Sequence, residues 1–201
     1  MRPGDKGNGL LTAPLSRDPK PGVVEMLRNK YYLIPLAILI LDHIAKWIAQ
    51  ATLYPRAAVD LIPGYLRLSY VNNSGVAFGL FDEIQSVWKP YVLAAMAVIA
   101  IVVILIYSMR VPGERKLLQV ALAITMGGIL GNFVDRVFRG SVVDFIEFHI
   151  HEVFHWPTFN VADAAITIGV ALLLIDTVRS PAEDSRQPAE NSGQSAAGSG
   201  Q

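Results

Sequence analysis

Two carboxylates, Asp144 and Asp163, are the residues whose type and setting point most directly to chemistry. Asp144 lies in Gly140-Ser-Val-Val-Asp144-Phe145, a short segment behind an apolar run, and Asp163 lies one turn into the next run, in Phe159-Asn160-Val-Ala-Asp163. An ionisable group in hydrocarbon costs several kcal/mol, so each is a functional candidate by default. Two carboxylates at one depth suggest an acid/base pair. Held about 3 Å apart in a poorly solvated site they cannot both ionise, and they share one proton. The ionised member then takes a proton from a water while the protonated member polarises a carbonyl.

Other polar residues recur at helical spacing. Asn132, Asp135 and Arg136 fall at i, i+3 and i+4 behind the small pair Gly127 and Gly131. They read either as site residues or as interfacial groups behind packing glycines, and Arg136 either stabilises developing charge or pairs with Asp135 or a lipid phosphate. Asn160, Asp163, Ala164 and Thr167 share a stripe, on which Asn160 and Asp163 also read as an N-cap and an N3 carboxylate. Asp42 and Lys46 form an i, i+4 pair inside an apolar run, most simply explained by mutual neutralisation with Lys46 reaching to the interface. Asp176 reads as interfacial.

A competing signal is His151-Glu152-Val-Phe-His155, which satisfies H-E-x-x-H, the helical zinc-binding pattern of metallopeptidases. Pro157 ends any helix just beyond it, the segment is short for a closed metal pocket, and a third ligand must be borrowed from His149 or Asp163. The alternative is the polar face of an interfacial helix. A third possibility is non-enzymatic: Asp42, Lys46, Asp135 and Asp163 as an ion or proton pathway. That requires ionisable groups spread through the bilayer depth, whereas these gather toward one end.

The elements that must position these residues are membrane spans. Of 201 residues, 52% are hydrophobic and 17% charged, too apolar for an ordinary soluble domain. A spanning helix needs about 20 apolar residues, and four windows qualify: about 31–51, 91–109, 117–134 and 159–178. The first follows thirty largely polar residues and lacks a cleavage pattern, so it is not read as a removable signal. Zero net charge gives no argument for nucleic acid, and the absence of cysteine excludes disulfides and a thiol nucleophile. Eleven Lys and Arg in the termini and second loop, against five in the other two loops, predict both termini in the cytoplasm. Trp47, Trp88 and Trp156 then collect at the outer interface. Residues 1–24 and 180–201 read as disordered cytoplasmic tails around a membrane domain at 25–179.

The loop at 52–90 is long enough to have structure of its own. Leu66-Arg-Leu-Ser-Tyr-Val71 predicts a strand, Asn72-Asn-Ser-Gly75 a turn, and Val76-Ala-Phe78 a short returning strand. The segment 145–156 places Ile146, Ile150, Val153 and Phe154 at helical spacing and predicts an interfacial helix ended by Pro157.

Taken together, these segments resemble the lipoprotein signal peptidases (signal peptidase II), membrane aspartic peptidases of bacteria. The resemblance covers about 30–178. Its carriers are Asp42-His-Ile-Ala-Lys46, Asn73-Ser-Gly-Val-Ala-Phe78, Gly128-Ile-Leu-Gly-Asn132-Phe-Val-Asp135-Arg136, Gly140-Ser-Val-Val-Asp144-Phe145 and Phe159-Asn160-Val-Ala-Asp163. It implies an all-α membrane protein: a four-transmembrane-helix bundle with a small periplasmic β-sheet and a short periplasmic helix, in the bacterial inner membrane. Asp144 and Asp163 match the catalytic pair. Asn73, Asn132, Arg136 and Asn160 match polar residues around it, and Asp42, Lys46 and Asp135 hold supporting positions. The implied substrates are prolipoproteins carrying a diacylglyceryl cysteine, cut just before that cysteine, and globomycin-type cyclic peptides are the implied inhibitors. No metal or cofactor is implied, membrane lipids surround the site, and a monomer is expected. One departure is Val76, where the family often has alanine. The polar extension at 1–30 exceeds what a typical member needs.

Overall fold

Apolar length and composition produce four helices able to cross a membrane: α1 (Leu33–Leu53), α2 (Lys89–Arg110), α3 (Lys116–Arg139) and α4 (Val161–Asp184). The computed structural model describes residues 30–55, 58–75, 87–151 and 153–184. Between α1 and α2 lie β1 (Val59–Ile62) and β2 (Leu66–Asn73), and between α3 and α4 lie β3 (Val142–Ile150) and β4 (Phe154–His155). The strands form one antiparallel sheet in the order β1-β2-β3-β4. The sheet joins the two long connections at one end of the bundle.

α3 is the central helix, packed against each of the other three. Its spanning window is 61% buried, against 6% for α2. Side chains on α2 such as Ile99 and Val103 face outward, as expected where lipid is the solvent. Glycines on two faces of α3 allow this crowding. A Cβ on Gly127 would meet Ile38 and Pro35 of α1, whereas one on Gly128 would collide with the Ala162 carbonyl of α4. A Cβ on Gly131 would come within 2.7 Å of the Asp42 carboxylate and 3.0 Å of Ala162. Gly131 is therefore the point where α1, α3 and α4 converge.

α3 ends at Gly140, whose φ of 72° is a left-handed conformation that costs glycine nothing, and whose N–H donates to the Arg136 carbonyl. That reversal delivers Val142–Asp144 straight into β3. At the far end, the buried Gln119 amide donates to the Ser108 and Val111 carbonyls and stitches the end of α2 to α3. Asp176 is not merely interfacial: its carboxylate accepts from Arg115 at 2.6 Å and ties α4 to the α2–α3 turn.

The expected strand at 66–71 is present and runs on to Asn73. The returning strand expected at Val76–Phe78 lies outside the described residues. The interfacial helix expected at 145–156 is corrected: this segment is β3, a turn at His151, and β4. Of the apolar positions 146, 150, 153 and 154 that suggest a helix, all but 153 are also even-numbered, so most of the pattern fits period 2 as well. Val142, Val143, Phe145, Ile146 and Phe148 favour a strand, and β2 supplies the pairing edge, with Leu66, Leu68 and Val71 opposite Phe148, Ile146 and Asp144. The sheet is anchored to the bundle by Ala49, Leu53 and Phe145, with Leu68, Tyr70, Ile146 and Val161 against them.

Candidate active site

Asp144 arrives on β3 and Asp163 on the first turn of α4, and both line one cavity of about 570 Å³ whose walls are mainly apolar. Four amide donors address their four oxygens. Asn160 Nδ2 donates to Asp144 Oδ1 at 2.6 Å and Asn73 Nδ2 to Asp144 Oδ2 at 2.8 Å. Asn132 Nδ2 donates to Asp163 Oδ1 at 2.7 Å, and the Asn160 main-chain N–H to Asp163 Oδ2 at 3.3 Å. Asn160 thus touches both carboxylates, one through its side chain and the other through its backbone.

Local structure explains each placement. Asn160 and Asp163 cap α4 reciprocally: Asn160 Oδ1 accepts the Asp163 N–H at 2.9 Å while Asp163 accepts the Asn160 N–H. The capping role and the site role are one arrangement. Asn73 closes a tight turn, its Oδ1 accepting the Gly75 N–H at 2.8 Å, which leaves its amide free to reach Asp144.

Behind the site lies a buried ion cluster. Lys46 Nζ stands 2.7 Å from Asp42 Oδ2, 2.8 Å from Asp135 Oδ2 and 3.1 Å from Asn132 Oδ1. All three charged side chains are at most 1% exposed. Lys46 therefore does not reach to the interface as expected from its position; it turns inward because two buried carboxylates need its charge. Asp42 also accepts the Ala162 N–H at 2.9 Å, satisfying an orphan donor at the start of α4.

The face shared by Asn132, Asp135 and Arg136 divides. Asn132 and Arg136 line the cavity, while Asp135 turns to Lys46, with Arg139 3.6 Å away. Arg136 makes no pair with Asp135; it donates to the carbonyls of Asn132 and Gly75, at 3.3 and 3.4 Å. Of the nine residues that the resemblance points to, Asn73, Asn132, Arg136, Asp144 and Asp163 line the cavity, Asn160 bonds both of its carboxylates, and Asp42, Lys46 and Asp135 form the cluster behind. Residue-level reading missed Phe148, Trp156 and Thr158, which also wall the cavity. The Trp156-Pro157 pair, beside an N-cap, was the signal that could have found them.

The zinc pattern is not on a helix. His151 sits in a turn with φ 47°, its ring 5.3 Å from that of Tyr65. His155 is on β4, stacked on His149 and 2.9 Å from Glu147. Two histidines one helical turn apart, the premise of that motif, do not occur here.

The electrostatics suit proton chemistry. Burial pushes the Asp144 carboxyl up to about 6; the Asp163 charge adds to this, while hydrogen bonds from Asn73 and Asn160 and the charge of Lys46 oppose it. A carboxyl raised in the folded state stabilises the fold while protonated, so its contribution is complete below about pH 4 and lost as pH rises through about 6, a change of about 3 kcal/mol. Thermal unfolding in detergent should show wild type losing stability over that window more steeply than Asp144→Asn, whose side chain does not titrate. Parallel pH profiles for the two proteins would contradict the shift.

The signal peptidase (SPase) II family model matches residues 34–179. The lipoprotein signal peptidase of Francisella tularensis subsp. novicida is 36% identical over 145 residues, covering 72% of this chain and 89% of that protein. The lipoprotein signal peptidase of Symbiobacterium thermophilum is 37% identical over 147 residues, covering 73% and 92%. A solved bacterial membrane enzyme superimposes with a TM-score of 0.69 at 29% identity, covering 80% of this chain and 94% of its own.

Proposed function

This chain belongs to the signal peptidase II family, and from that premise we propose that it removes signal peptides from diacylglyceryl-modified prolipoproteins by aspartic chemistry at Asp144 and Asp163. The observation that carries the reading is the shared amide cradle: one residue, Asn160, bonds both carboxylates inside an apolar cavity. Amide donors on every oxygen hold two acids in place without neutralising them, which leaves their protons free for exchange.

The pair works with one proton between its members and titrates as a unit. One carboxylate accepts a proton from an attacking water; the other donates to the carbonyl oxygen of the scissile bond, and a tetrahedral intermediate forms without a covalent enzyme adduct. Arg136, on the cavity wall, places positive charge where the oxygen becomes negative. The protein is a multi-pass bacterial membrane protein with the sheet and cavity on the periplasmic side and both termini in the cytoplasm. Lys and Arg content of the connections supports this orientation, as do Trp47, Trp88 and Trp156, all toward the sheet end and 46–73% exposed. A cavity at the outer ends of the spans meets a signal helix and lipid anchor already held in the bilayer.

The test is cleavage by the purified chain of paired synthetic substrates, with and without the diacylglyceryl group on cysteine. The lipidated peptide should be cut on the N-terminal side of that cysteine, at an efficiency at least about a hundredfold above its unlipidated twin, since binding energy of the lipid places the scissile bond. Equal cutting of both would refute the substrate class.

A further inference from the structure

The hairpin of β3 and β4 carries a second cavity, of about 330 Å³, lined by Tyr65, Phe148, His149, Ile150, Phe154 and Trp156. Phe148 and Trp156 line the larger cavity as well, so the two cavities adjoin across these side chains. Its walls belong to the sheet and its turns, outside the four helices. Phe148, Ile150 and Phe154 are 47–53% exposed although apolar, whereas Asp60, Arg67 and Glu147 supply cross-strand polar contacts on the same sheet.

The two cavities lie along one stretch of the sheet. β3 leads from Asp144 to Phe148, four residues at about 3.3 Å each, or about 13 Å. The segment from Trp156 to Phe159 runs alongside, its N–H groups at Trp156 and Phe159 donating back to Phe148 and Ile146. Between them Thr158 lines the larger cavity, and its main-chain groups have no hydrogen-bond partner among the described residues. An extended peptide passing this point finds unpaired backbone to bond and an aromatic recess at the end of its path.

We infer that the second cavity is a subsite for the mature side of the substrate, taking a large apolar side chain from about the third to fifth residue after the cut. This rests on the peptidase reading above and adds a sequence preference to it. Peptide is favoured over an acyl chain as occupant because the recess is built on the sheet and lies beyond the unpaired main chain of Thr158, which can bond a peptide and not an acyl chain.

The experiment uses the full chain and lipidated peptides with Phe, Leu, Gly or Asp placed singly at successive positions after the cysteine. Phe should be favoured over Gly by about tenfold in kcat/KM, mainly through KM, only around the third to fifth positions counted from the cut, with the cysteine as the first. In Phe154→Ser that ratio should fall below about twofold. No preference in wild type, or a preference independent of position, overturns the inference. So does one unchanged in both Phe154→Ser and Ile150→Ser, which would seat the side chain in lipid. A readout without turnover covers variants that fold poorly: a photo-crosslinking phenylalanine analogue at the fourth position, bound to Asp163→Asn, should label the β3–β4 hairpin, and labelling elsewhere refutes the subsite. Cleavage without side-chain preference removes only this inference; failure to cut any lipidated peptide removes the peptidase reading.

Discussion

Replacing either Asp144 or Asp163 by Asn is expected to lower cleavage of a lipidated substrate by at least about a thousandfold, because each carboxyl serves as acid in one step and base in another. The substitution is nearly isosteric, and the surroundings show what it disturbs. Asn73 and Asn160 both donate to Asp144, so an amide there keeps one acceptor and turns an N–H₂ toward a second donor. That local mismatch is offset by removing a buried titratable group, so Asp144→Asn should remain folded and inserted. For Asp163 the lost acceptor costs one arm of the α4 cap, since its Oδ2 receives the Asn160 N–H. The double variant should be little worse than either single one, as for groups that act as a unit. Rates are measured on purified protein against one lipidated peptide, with binding of that peptide followed separately. Retained cleavage in either single variant would remove the two-carboxylate mechanism, whereas lost binding with lost cleavage would mean that the residue only shapes the cavity.

Helices and carboxylates were legible for different reasons. The four spans follow from composition, because in lipid an apolar run has few structural options. Asp144 and Asp163 stood out because charge in such a setting needs a reason. What the sequence concealed were choices made by tertiary partners. Ile146, Ile150 and Phe154 satisfy a period of 3.6 and a period of 2 together; the edge of β2, distant in sequence, decided for the strand. Lys46 lies four residues from Asp42, which accounts for one pair, but nothing near it in sequence announces Asp135 as its second partner. Gly128 stands in the sequence only as part of a motif, although with Gly131 and Gly169 it lets α4 seat against α3. The shared role of Asn160 as cap and cradle was half visible: Asn-x-x-Asp signals a capping pair, while its bond to Asp144 depends on how β3 leaves α3 at Gly140.

Lys46→Met should be the most damaging change outside the carboxylate pair, and its two effects can be separated. Removing the cation leaves Asp42 and Asp135 buried at 0% and 1% exposure, Asp42 with the His43 ring at 3.8 Å and Asp135 with Arg139 at 3.6 Å, both farther than the lysine. Breaking a buried pair from one side costs about 3–5 kcal/mol, so the variant should unfold at markedly lower temperature in detergent. The second effect concerns direction. Lys46 Nζ donates to Asn132 Oδ1 and so fixes which end of that amide faces Asp163. Asn160 Nδ2 also approaches Asn132 Oδ1, at 3.2 Å, but with one N–H on Asp144 its second is shared with the Val143 carbonyl at 3.3 Å, a weaker hold than the lysine's. Without the lysine the Asn132 amide can turn over, presenting its oxygen rather than its N–H₂ to a carboxylate. Combining Lys46→Met with Asp42→Asn and Asp135→Asn removes the buried charges, and Asn at 42 can still accept the Ala162 N–H. Stability should largely return in this triple variant, while cleavage stays about tenfold or more below wild type because the amide remains unanchored. Full recovery of cleavage together with stability would show that the lysine serves only to balance charge. A single Lys46→Met variant as stable as wild type would mean that the two carboxylates find other partners, and the cluster would lose its role in holding α1 to the site.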